Sequence, residues 1–390
     1  MMNDILLDVS RLLWRAWRRQ LPTGIDRACL AYVQHYRDEA FAVVQRGGFT
    51  YVLGKRASED LFDLLLRSPP NIRGELLRLI PRLLTERGPA RTLLKGALYL
   101  NIGHTGLNQP GHGHWVARTG VRAIYYVHDL IPITHPQYAR EGEPERHEAR
   151  MRTVLLRGAG VIGNSEDSLT QLRLFAQDHS LAVPPELCAP LGVEPFIRRV
   201  APTSPIQEPY FVVLGTIEGR KNHALMLEIW RELTRNQAEP IPKLVIIGQR
   251  GWSAGPIFDV LDNDKQLSPY VMELGRCSDG ALQAWLCNAR ALLFPSFVEG
   301  QGLPLIEALG AGTPVIASNL AVFQETAGLI PDYIDPDDLS GWLAVVQDYA
   351  REDSLRRADQ MERMKAFAPP SWDEHFIMVR QWLARLSPDG

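Results

Sequence analysis

The chain alternates short apolar runs with amphipathic segments, and it does so in two successive series. The apolar runs of the first series are Ile5–Val9, Ala97–Ile102, Arg122–Val127 and Gly160–Gly163, and those of the second are Tyr210–Leu214, Lys243–Ile247, Tyr270–Leu274, Ala291–Phe294 and Pro314–Ala317. Near-continuous apolar runs of this length are typical of parallel strands that are buried on both faces. The pattern therefore predicts an α/β protein with two Rossmann-like, doubly wound domains.

A Pro-rich segment at 183–208 separates the two series. A chain of 390 residues is also too long for one ordinary hydrophobic core. We therefore predict an N-terminal domain at 1–196, a linker around 196–208 and a C-terminal domain at 208–370.

Composition excludes several classes of function. The formal net charge is −3, which does not indicate a nucleic-acid partner. The four cysteines are scattered without a CxxC pair, so reduced thiols are expected rather than a zinc site. We expect no signal peptide, and no apolar run reaches the roughly 20 residues that span a bilayer. These features predict a cytoplasmic protein.

Residues 59–95 form a basic segment in which leucines recur at helical spacing. Pro69, Pro70 and Pro81 are expected to divide it into short helices. A basic amphipathic helix can lie on an anionic membrane, whereas the alternative is an ordinary surface helix packed on a sheet. Both interpretations remain open at this stage.

The stretch 294–325 follows a predicted strand and contains Glu299 and Glu307, with Gly300 and Gly302 between them. It reads as strand end, Gly-rich loop, short helix, Gly-Thr-Pro turn and strand. Glycines let a backbone approach an anion at a helix N-terminus, and carboxylates accept hydrogen bonds from sugar hydroxyls. The combination predicts a nucleotide-sugar site. Alternatively, Glu307 is a favourable charge on the first helical turn and Glu299 an ordinary loop acid.

A second motif, Gly215 to Asn222, also lies between a predicted strand and a helix. Its adjacent cations, Arg220 and Lys221, oppose the dipole of the helix that follows unless an anion binds there. They are therefore predicted ligands of a diphosphate, with two solvated charges on a turn as the alternative.

Histidines mark the ends of two predicted N-terminal strands. His128 and Asp129 end one strand, while His104, His112 and His114 lie in the segment after another. The last three could ligate a metal, but no carboxylate or cysteine completes the set. We favour a substrate-lining role on the acceptor side for His104, His112 and Asp129, because strand carboxyl ends face the ligand crevice in such sheets.

In this order and spacing, the motifs resemble retaining GT-B glycosyltransferases of family 4. The run from Glu299 through Gly302, Leu303 and Glu307 to Ser318 is similar to their EX7E signature. Further segments resemble their phosphate loop, base-recognition loop, HD loop and final helix; these are Val213–Asn222, Val271–Gly275 with Ser278 and Asp279, Tyr126–Pro132, and the helix from Ser371 and Trp372. The resemblance implies two domains facing a central cleft, with a last helix at about 372–390 packing back on the first domain.

The resemblance also implies roles for individual residues. Lys221, Arg220, Glu299 and His128 would carry catalysis, with the first two meeting the charge of the leaving diphosphate. Glu307 would hold the ribose and Glu299 the transferred sugar. The implied donor-binding set is Gly24, Gly215, Thr216, Arg220, Lys221, Gly275, Cys277, Glu299, Gly302, Leu303 and Glu307. Many relatives have arginine where this chain has Thr216, so Arg220 is expected to substitute for it.

The expected activity is hexosyl transfer with retention, without a metal or other cofactor, to a glycan or lipid-linked acceptor in surface polysaccharide synthesis. GDP-mannose is the favoured donor, because the HDLIPxxHP and GTxExRKN combination resembles mannosyltransferases of polysaccharide clusters. UDP-sugar transferases and sugar-nucleotide epimerases on the same fold are the alternatives. A non-catalytic nucleotide-sugar-binding subunit is a third. Peripheral attachment to an anionic membrane through 59–95 would bring the enzyme to a lipid-linked acceptor.

Overall fold

The computed structural model describes residues 4–20, 23–86, 88–193, 203–236, 241–252, 254–275 and 277–386. The chain divides into two compact units. Unit 1 comprises residues 1–191 and the segment from Trp372 onward, and unit 2 is Gly192–Ser371. The predicted linker at 196–208 lies largely outside the described residues.

Unit 1 contains a seven-stranded sheet in its described residues. Its strands are β1 (Ile5–Asp8), β2 (Ala40–Arg46), β3 (Phe49–Val52), β4 (Leu98–Asn101), β5 (Arg122–Val127), β6 (Gly158–Gly163) and β7 (Glu186–Cys188). Its helices up to β7 are α1 (Ser10–Arg18), α2 (Gly24–Tyr36), α3 (Lys55–Arg67), α4 (Ile72–Thr85), α5 (Arg91–Leu94), α6 (Pro110–Thr119), α7 (Ile131–Thr134), α8 (Glu143–Arg157) and α9 (Glu166–Asp178), with a 3-10 turn at Pro136–Tyr138.

Unit 2 contains a six-stranded sheet, counted over the ranges given above. Its strands are β8 (Tyr210–Leu214), β9 (Lys243–Ile247), β10 (Val271–Leu274), β11 (Leu292–Phe294), β12 (Val315–Ser318) and β13 (Asp332–Ile334). Its helices are α10 (His223–Arg235), α11 (Gly255–Asn263), α12 (Asp279–Cys287), α13 (Leu303–Ala311), α14 (Ala321–Ala327), α15 (Leu339–Ala350) and α16 (Leu355–Arg363), with 3-10 turns at Gly219–Lys221 and Met364–Ala366.

Both sheets have Rossmann-like strand order. Unit 2 reads β10-β9-β8-β11-β12-β13, and unit 1 reads β3-β2-β1-β4-β5-β6-β7. All pairs are parallel except β2 with β3, which form an antiparallel hairpin at the edge. The strand order reverses between β1 and β4 and between β8 and β11, and ligands bind at the strand carboxyl ends beside such reversals. The predicted α/β class and the Rossmann-like sheets are confirmed.

The final helix, α17 (Trp372–Arg385), packs on unit 1 through an aromatic cluster. The Phe376 ring stacks on His35 at 3.8 Å and meets Tyr32 edge-on at 5.0 Å. His375 Nδ1 donates to the Pro190 carbonyl at 2.9 Å, so its Nε2 accepts from the Tyr32 hydroxyl at 3.0 Å. Buried aromatic pairs of this kind add to the stability supplied by burial alone.

Two local expectations from the sequence were wrong. Pro81 lies inside α4 and does not end it, because packing of this helix against α1 and α3 outweighs the one backbone hydrogen bond that proline removes. His112 and His114 lie on α6 and not on a loop. Within the described residues, every helix falls short of the length and apolarity that a bilayer-crossing helix needs.

Replacing Phe376 with alanine should destabilise unit 1 by about 3–5 kcal/mol, because it leaves a cavity among buried rings. Ile377 is the matched control, since its side chain is exposed on the same helix, and Ile377→Ala should change the free energy of unfolding by less than about 0.5 kcal/mol. Hydrogen exchange of the β4 and β5 amides measures both effects. Equal protection in the two variants would show that α17 does not stabilise the sheet.

Candidate functional site

The loop after β8 is held in an extended conformation by the loop after β9. Ile217 N–H donates to the Gln249 carbonyl at 2.9 Å, and Gly251 N–H donates to the Ile217 carbonyl at 3.1 Å. A Cβ on Gly248 would lie 1.8 Å from the Gly215 carbonyl oxygen, so only glycine fits there. Strand-like pairing thus continues past the end of β8 and fixes the path of the chain as it approaches α10.

One 3-10 turn, Gly219–Lys221, then leads into α10, which begins at His223. Asn222 makes the junction with a φ of 53°, a left-handed conformation that asparagine tolerates better than most residues. Its amide donates to the Pro336 carbonyl at 2.9 Å. Arg220 and Lys221 are therefore delivered to the N-terminal end of α10, as the sequence predicted.

The loop after β11 brings Glu299 to the same place. The predicted order of strand, Gly-rich loop, helix, turn and strand across 294–318 is confirmed. Gly302 precedes α13 with a φ of 85°, and a Cβ there would lie 2.7 Å from the Phe323 ring. Phe297 N–H donates to the Arg220 carbonyl at 2.8 Å, which ties this loop to the loop after β8.

Four charged side chains, Glu218, Arg220, Lys221 and Glu299, form what we call the charge cluster. Lys221 Nζ binds Glu299 Oε1, and Arg220 Nη1 lies 2.9 Å from Glu299 Oε2. Arg220 Nε lies 2.7 Å from Glu218 Oε1. Two cations face two carboxylates, so the cluster has no formal net charge. Ser296 adds a hydroxyl that donates to Glu299 Oε1 at 2.8 Å.

Burial strengthens the electrostatics of this cluster. Lys221 and Glu299 are 7% and 8% exposed. Burial alone would raise the pKa of Glu299, but the charges of Arg220 and Lys221 outweigh it and lower that pKa to about 2. Burial lowers the pKa of Lys221, and the attraction of Glu299 opposes this shift. The Lys221 ammonium also lies 4.7 Å from the centre of the Phe294 ring, a cation–π contact.

The other predicted donor-side residues occupy different positions around this cluster. Leu303 is the first residue of α13. Glu307 is buried in the second turn of that helix, so the alternative of a charge on the first turn is wrong. Thr216 is exposed, and its methyl group lies against Gly251. It makes no ion pair, whereas Arg220 reaches the same carboxylate as Lys221.

Gly275 and Cys277 follow β10 and flank a residue that lies outside the described part of the chain. A Cβ on Gly275 would meet nothing within 4 Å, so there is open space beside its backbone. Cys277 is half-buried against the apolar core, and burial raises the pKa of its thiol. Among the contacts of the described residues, neither joins the charge cluster.

In unit 1, His104 and His128 brace two neighbouring loops reciprocally. His128 Nε2 donates to the Ile102 carbonyl at 2.8 Å, and His104 Nε2 donates to the Tyr126 carbonyl at 2.5 Å. Each imidazole thus links the carboxyl end of its own strand, β4 or β5, to the carboxyl end of the other strand. Both rings are buried, and burial lowers the pKa of His128 to about 4 and that of His104 well below its ordinary value. Both side chains are therefore neutral at pH 7.

A third histidine, His147 on α8, completes this group and was not singled out from the sequence. Its Nε2 donates to the Asp129 carbonyl at 3.0 Å, and its ring lies 5.8 Å from that of His104. The Asp129 carboxylate accepts the Ile131 N–H at 3.1 Å. His147 shares the buried face of α8 with Met151 and Val154, so its helical spacing was the available signal.

His112 was predicted to lie on a substrate-lining loop, but it belongs to the core. It lies on α6, where its Nε2 is 2.9 Å from the Tyr125 hydroxyl, and burial lowers its pKa to about 4. Among the described residues, no group of three or more histidine, cysteine, aspartate or glutamate side chains could hold a metal ion.

Gly24 begins α2 beside a second charged group that the sequence analysis missed. Asp26 accepts from the Thr23 N–H at 2.6 Å, closing a capping box. The same buried carboxylate pairs with Arg11 at 2.7 Å and Arg15 at 2.8 Å, both on α1. These bonds fix the N-terminus of α2 beside the carboxyl end of β1.

A buried polar network supports the loop that carries His104. Asp8 accepts from Gln45 at 2.7 Å and from the Tyr99 hydroxyl at 2.8 Å. Gln45 and Asn101 both donate to the Thr105 carbonyl, at 2.8 and 3.0 Å. Burial raises the pKa of Asp8. Since the network joins β1, β2 and β4, it fixes the loop to three strands at once.

Comparison with protein families places the charge cluster in a recognised domain. Residues 197–344 match the family "Glycosyl transferases group 1". The chain is 28% identical over 261 residues to the serotype-specific mannosyltransferase WbdA of Escherichia coli, across 59% of this chain but only 31% of WbdA. It is 26% identical to the O-antigen chain mannosyltransferase B of Escherichia coli, across 65% of this chain and 67% of that protein.

Solved structures share the fold along the whole chain. The Anabaena protein Alr3699/HepE, crystallised in complex with UDP, superposes with a TM-score of 0.67 at 16% identity, covering 98% of this chain and all of that one. Sucrose-phosphate synthase from Thermosynechococcus elongatus superposes with a TM-score of 0.64 at 15% identity, covering 100% of both chains. The fold is therefore that of GT-B glycosyltransferases, and the sequence resembles mannosyltransferases among them.

Neutral, buried His128 should make the stability of unit 1 depend on pH. The unfolded chain binds a proton at the ordinary histidine pKa of 6.5, whereas the folded chain does so only near 4. The free energy of unfolding should therefore fall between pH 6.5 and pH 4, by up to about 1.4 kcal/mol per pH unit for this residue. His128→Asn should make that fall shallower, as measured by urea unfolding at several pH values. Measurement at pH 8 gives the packing effect of the substitution alone, and parallel curves for the two proteins would contradict the prediction.

Proposed function

We propose that this chain is a glycosyltransferase that moves a hexosyl group, with mannose favoured, from a nucleoside diphosphate sugar to a glycan or lipid-linked acceptor of a surface polysaccharide. The observation that carries the proposal is the charge cluster. It places Arg220 and Lys221 at the N-terminus of α10, beside the reversal of strand order in unit 2. Strand order of this kind binds nucleotides at that point in other proteins.

Arg220 and Lys221 suit a leaving diphosphate. Two adjacent cations oppose the positive end of the α10 dipole, and a bound anion would remove that conflict. As the bond to the sugar breaks, negative charge grows on the departing phosphate oxygens. Cations already in place, of which Lys221 is buried, stabilise that charge without reorganising water. Arg220 can bind two phosphate oxygens at once, whereas Lys221 acts as a point charge.

Glu299 has a second use once a donor occupies the site. In the structure its carboxylate pairs with both cations. A diphosphate would take over that task, which frees carboxylate oxygens to accept hydrogen bonds from sugar hydroxyls. We assign Glu307 to the ribose, and the backbone amides of Gly302 and Leu303 to sugar and phosphate oxygens. These assignments follow the resemblance in the EX7E run.

Retention and independence from metal are further parts of the proposal. The resemblance supports both, since the two cations supply the charge that a metal would bring. The acceptor would attack from the face that the diphosphate leaves, with the departing phosphate oxygen taking the acceptor proton. The anomeric configuration of the product, read by NMR, decides this point, and inversion would refute it.

The donor is argued from the relatives. The names of WbdA and of the O-antigen chain mannosyltransferase B favour GDP-mannose. The UDP complex of HepE supports the alternative of a UDP-sugar.

In unit 1 we assign His104 and Asp129 to the acceptor side, and leave His112 out because it is a core residue. His128 keeps its proposed role at the transferred sugar, through Nδ1, since Nε2 is bound to a carbonyl.

Thermal shift with a panel of nucleoside diphosphates tests the proposed function and its donor. The wild-type chain should be stabilised by GDP more than by UDP.

Lys221→Ala should lower kcat/KM for the donor by about 100-fold or more, because it removes a cation from the transition state. Lys365→Ala, an exposed lysine elsewhere in unit 2, is the matched control and should behave as wild type.

Four outcomes of the binding and turnover measurements would contradict parts of the proposal. Stabilisation by UDP alone would exclude GDP-mannose. Near-normal turnover by Lys221→Ala would exclude its role at the diphosphate. A changed sugar in the absence of any acceptor would identify an epimerase, and nucleotide binding without turnover for every donor and acceptor pair would identify a binding subunit.

A membrane-facing role is proposed for α4, within the 59–95 segment. Leu77 and Ile80 are exposed at 53% and 40% on this helix, among Arg73, Arg78 and Arg82. Exposed apolar side chains flanked by arginines are typical of helices that lie in the interface of an anionic bilayer. We place the enzyme peripherally on the inner face of the cytoplasmic membrane.

Sedimentation with vesicles tests this surface. The wild-type chain should bind vesicles rich in anionic phosphatidylglycerol and bind phosphatidylcholine vesicles weakly, with binding lost at high salt. Leu77→Glu with Ile80→Glu should abolish binding, because the apolar contact is lost and negative charge is added. Leu174→Glu, an equally exposed leucine on α9 of the same unit, is the matched control. Unchanged binding by the double variant would exclude α4 as the contact.

A further inference from the structure

Glu218 is the one member of the charge cluster to which no role has been assigned. It lies between Ile217, which is paired with the loop after β9, and the 3-10 turn that carries Arg220 and Lys221. Its side chain is 13% exposed, and Oε1 lies 2.7 Å from Arg220 Nε. The carboxylate therefore points at the base of the Arg220 guanidinium and not into solvent.

The backbone of Glu218 is fixed from both sides. Ile217 donates to Gln249 and accepts from Gly251, while the Glu218 carbonyl accepts the Lys221 N–H at 3.0 Å. A side chain mounted on such a loop has few positions available. Glu218 is thus suited to hold another side chain in one orientation, which a residue on a free loop could not do.

The partners of Arg220 include Glu218, Glu299 and the Val298 carbonyl, the last at 3.1 Å. The proposed donor chemistry draws Glu299 towards the sugar hydroxyls. Glu218 is then the carboxylate that still holds Arg220, and it does so through Nε. Nη1 keeps its bond to the Val298 carbonyl, and the Nη1 N–H that Glu299 releases is left to face the diphosphate.

If Glu218 acted only through its negative charge, it would weaken diphosphate binding instead of supporting it. A carboxylate this close to an arginine that binds phosphate repels the phosphate, so its removal would tighten binding if repulsion dominated. If Glu218 orients Arg220, its removal weakens binding instead, because the guanidinium loses the anchor that keeps it in place. The two roles therefore differ in the sign of the change in affinity.

We propose that Glu218 is a positioning residue that orients Arg220 for the donor diphosphate and thereby lets an arginine four residues beyond Thr216 serve the phosphate site. This inference rests on the proposed function. It assigns Glu218 no contact with the substrate, since its effect passes through Arg220.

Calorimetric titration of the full chain with GDP and with UDP tests the proposal, using whichever nucleotide the wild type binds. Glu218→Ala should weaken binding about tenfold, the loss expected for one charge-assisted hydrogen bond. Glu218→Gln should weaken it less, because its amide oxygen can still accept from Arg220 Nε. In an Arg220→Ala background, Glu218→Ala should weaken binding no further. Glu232→Ala on α10, which removes the partner of Arg235, is the control and should bind as wild type.

Each outcome is decisive. Tighter or unchanged binding by Glu218→Ala overturns the positioning role and leaves the proposed function intact. Equal weakening in the presence and absence of Arg220 shows that Glu218 acts on the loop in general, and also overturns it. No binding of either nucleotide by the wild type overturns the proposed function and this inference together. Unfolding temperatures without nucleotide, expected to be equal for wild type and Glu218→Ala, confirm that the comparison concerns binding.

Discussion

The buried ion pair between Lys221 and Glu299 is the interaction on which the site in unit 2 depends. A buried charge is costly unless a partner compensates it, and here each partner is unfavourable without the other. The pair joins the loop after β8 to the loop after β11, the two loops that flank the reversal of strand order. The same contact therefore sets the geometry of the site and holds both cations in place.

The sheets explain why these loops meet. In a parallel sheet all carboxyl ends lie at one edge, and neighbouring strands deliver their loops side by side. Two glycines then allow close contacts between these loops and their neighbours. Gly248 lies against the Gly215 carbonyl, and Gly302 lies against the Phe323 ring. In unit 1, different interactions hold the loops together at the strand ends. There, neutral histidines and a buried aspartate network join the loops through hydrogen bonds, and Asp26 adds ion pairs with Arg11 and Arg15.

Much of the fold could be predicted from sequence because buried parallel strands leave a strong apolar signal, and the strands of unit 2 from Tyr210 to Ser318 lie close to their expected bounds. The proximity of Arg220, Lys221 and Glu299 was also predictable, since each follows a strand whose carboxyl end lies at the same edge of the sheet. What escaped prediction depends on packing between distant segments. Pro81 stays helical because of its neighbours, and His112 lies in the core because α6 turns it towards Tyr125. Glu218, Asp26 and His147 show their significance only once their partners are known.

The reciprocal brace of His104 and His128 has a consequence for how this chain can change over time. Each imidazole satisfies a carbonyl on the segment that carries the other, so loss of one leaves a buried acceptor unpaired while its counterpart still occupies the space. The first of two substitutions is then the harmful step, and a second is needed to relieve it. The two positions form an epistatic pair, and laboratory evolution of these segments of unit 1 is best run with both positions randomised together.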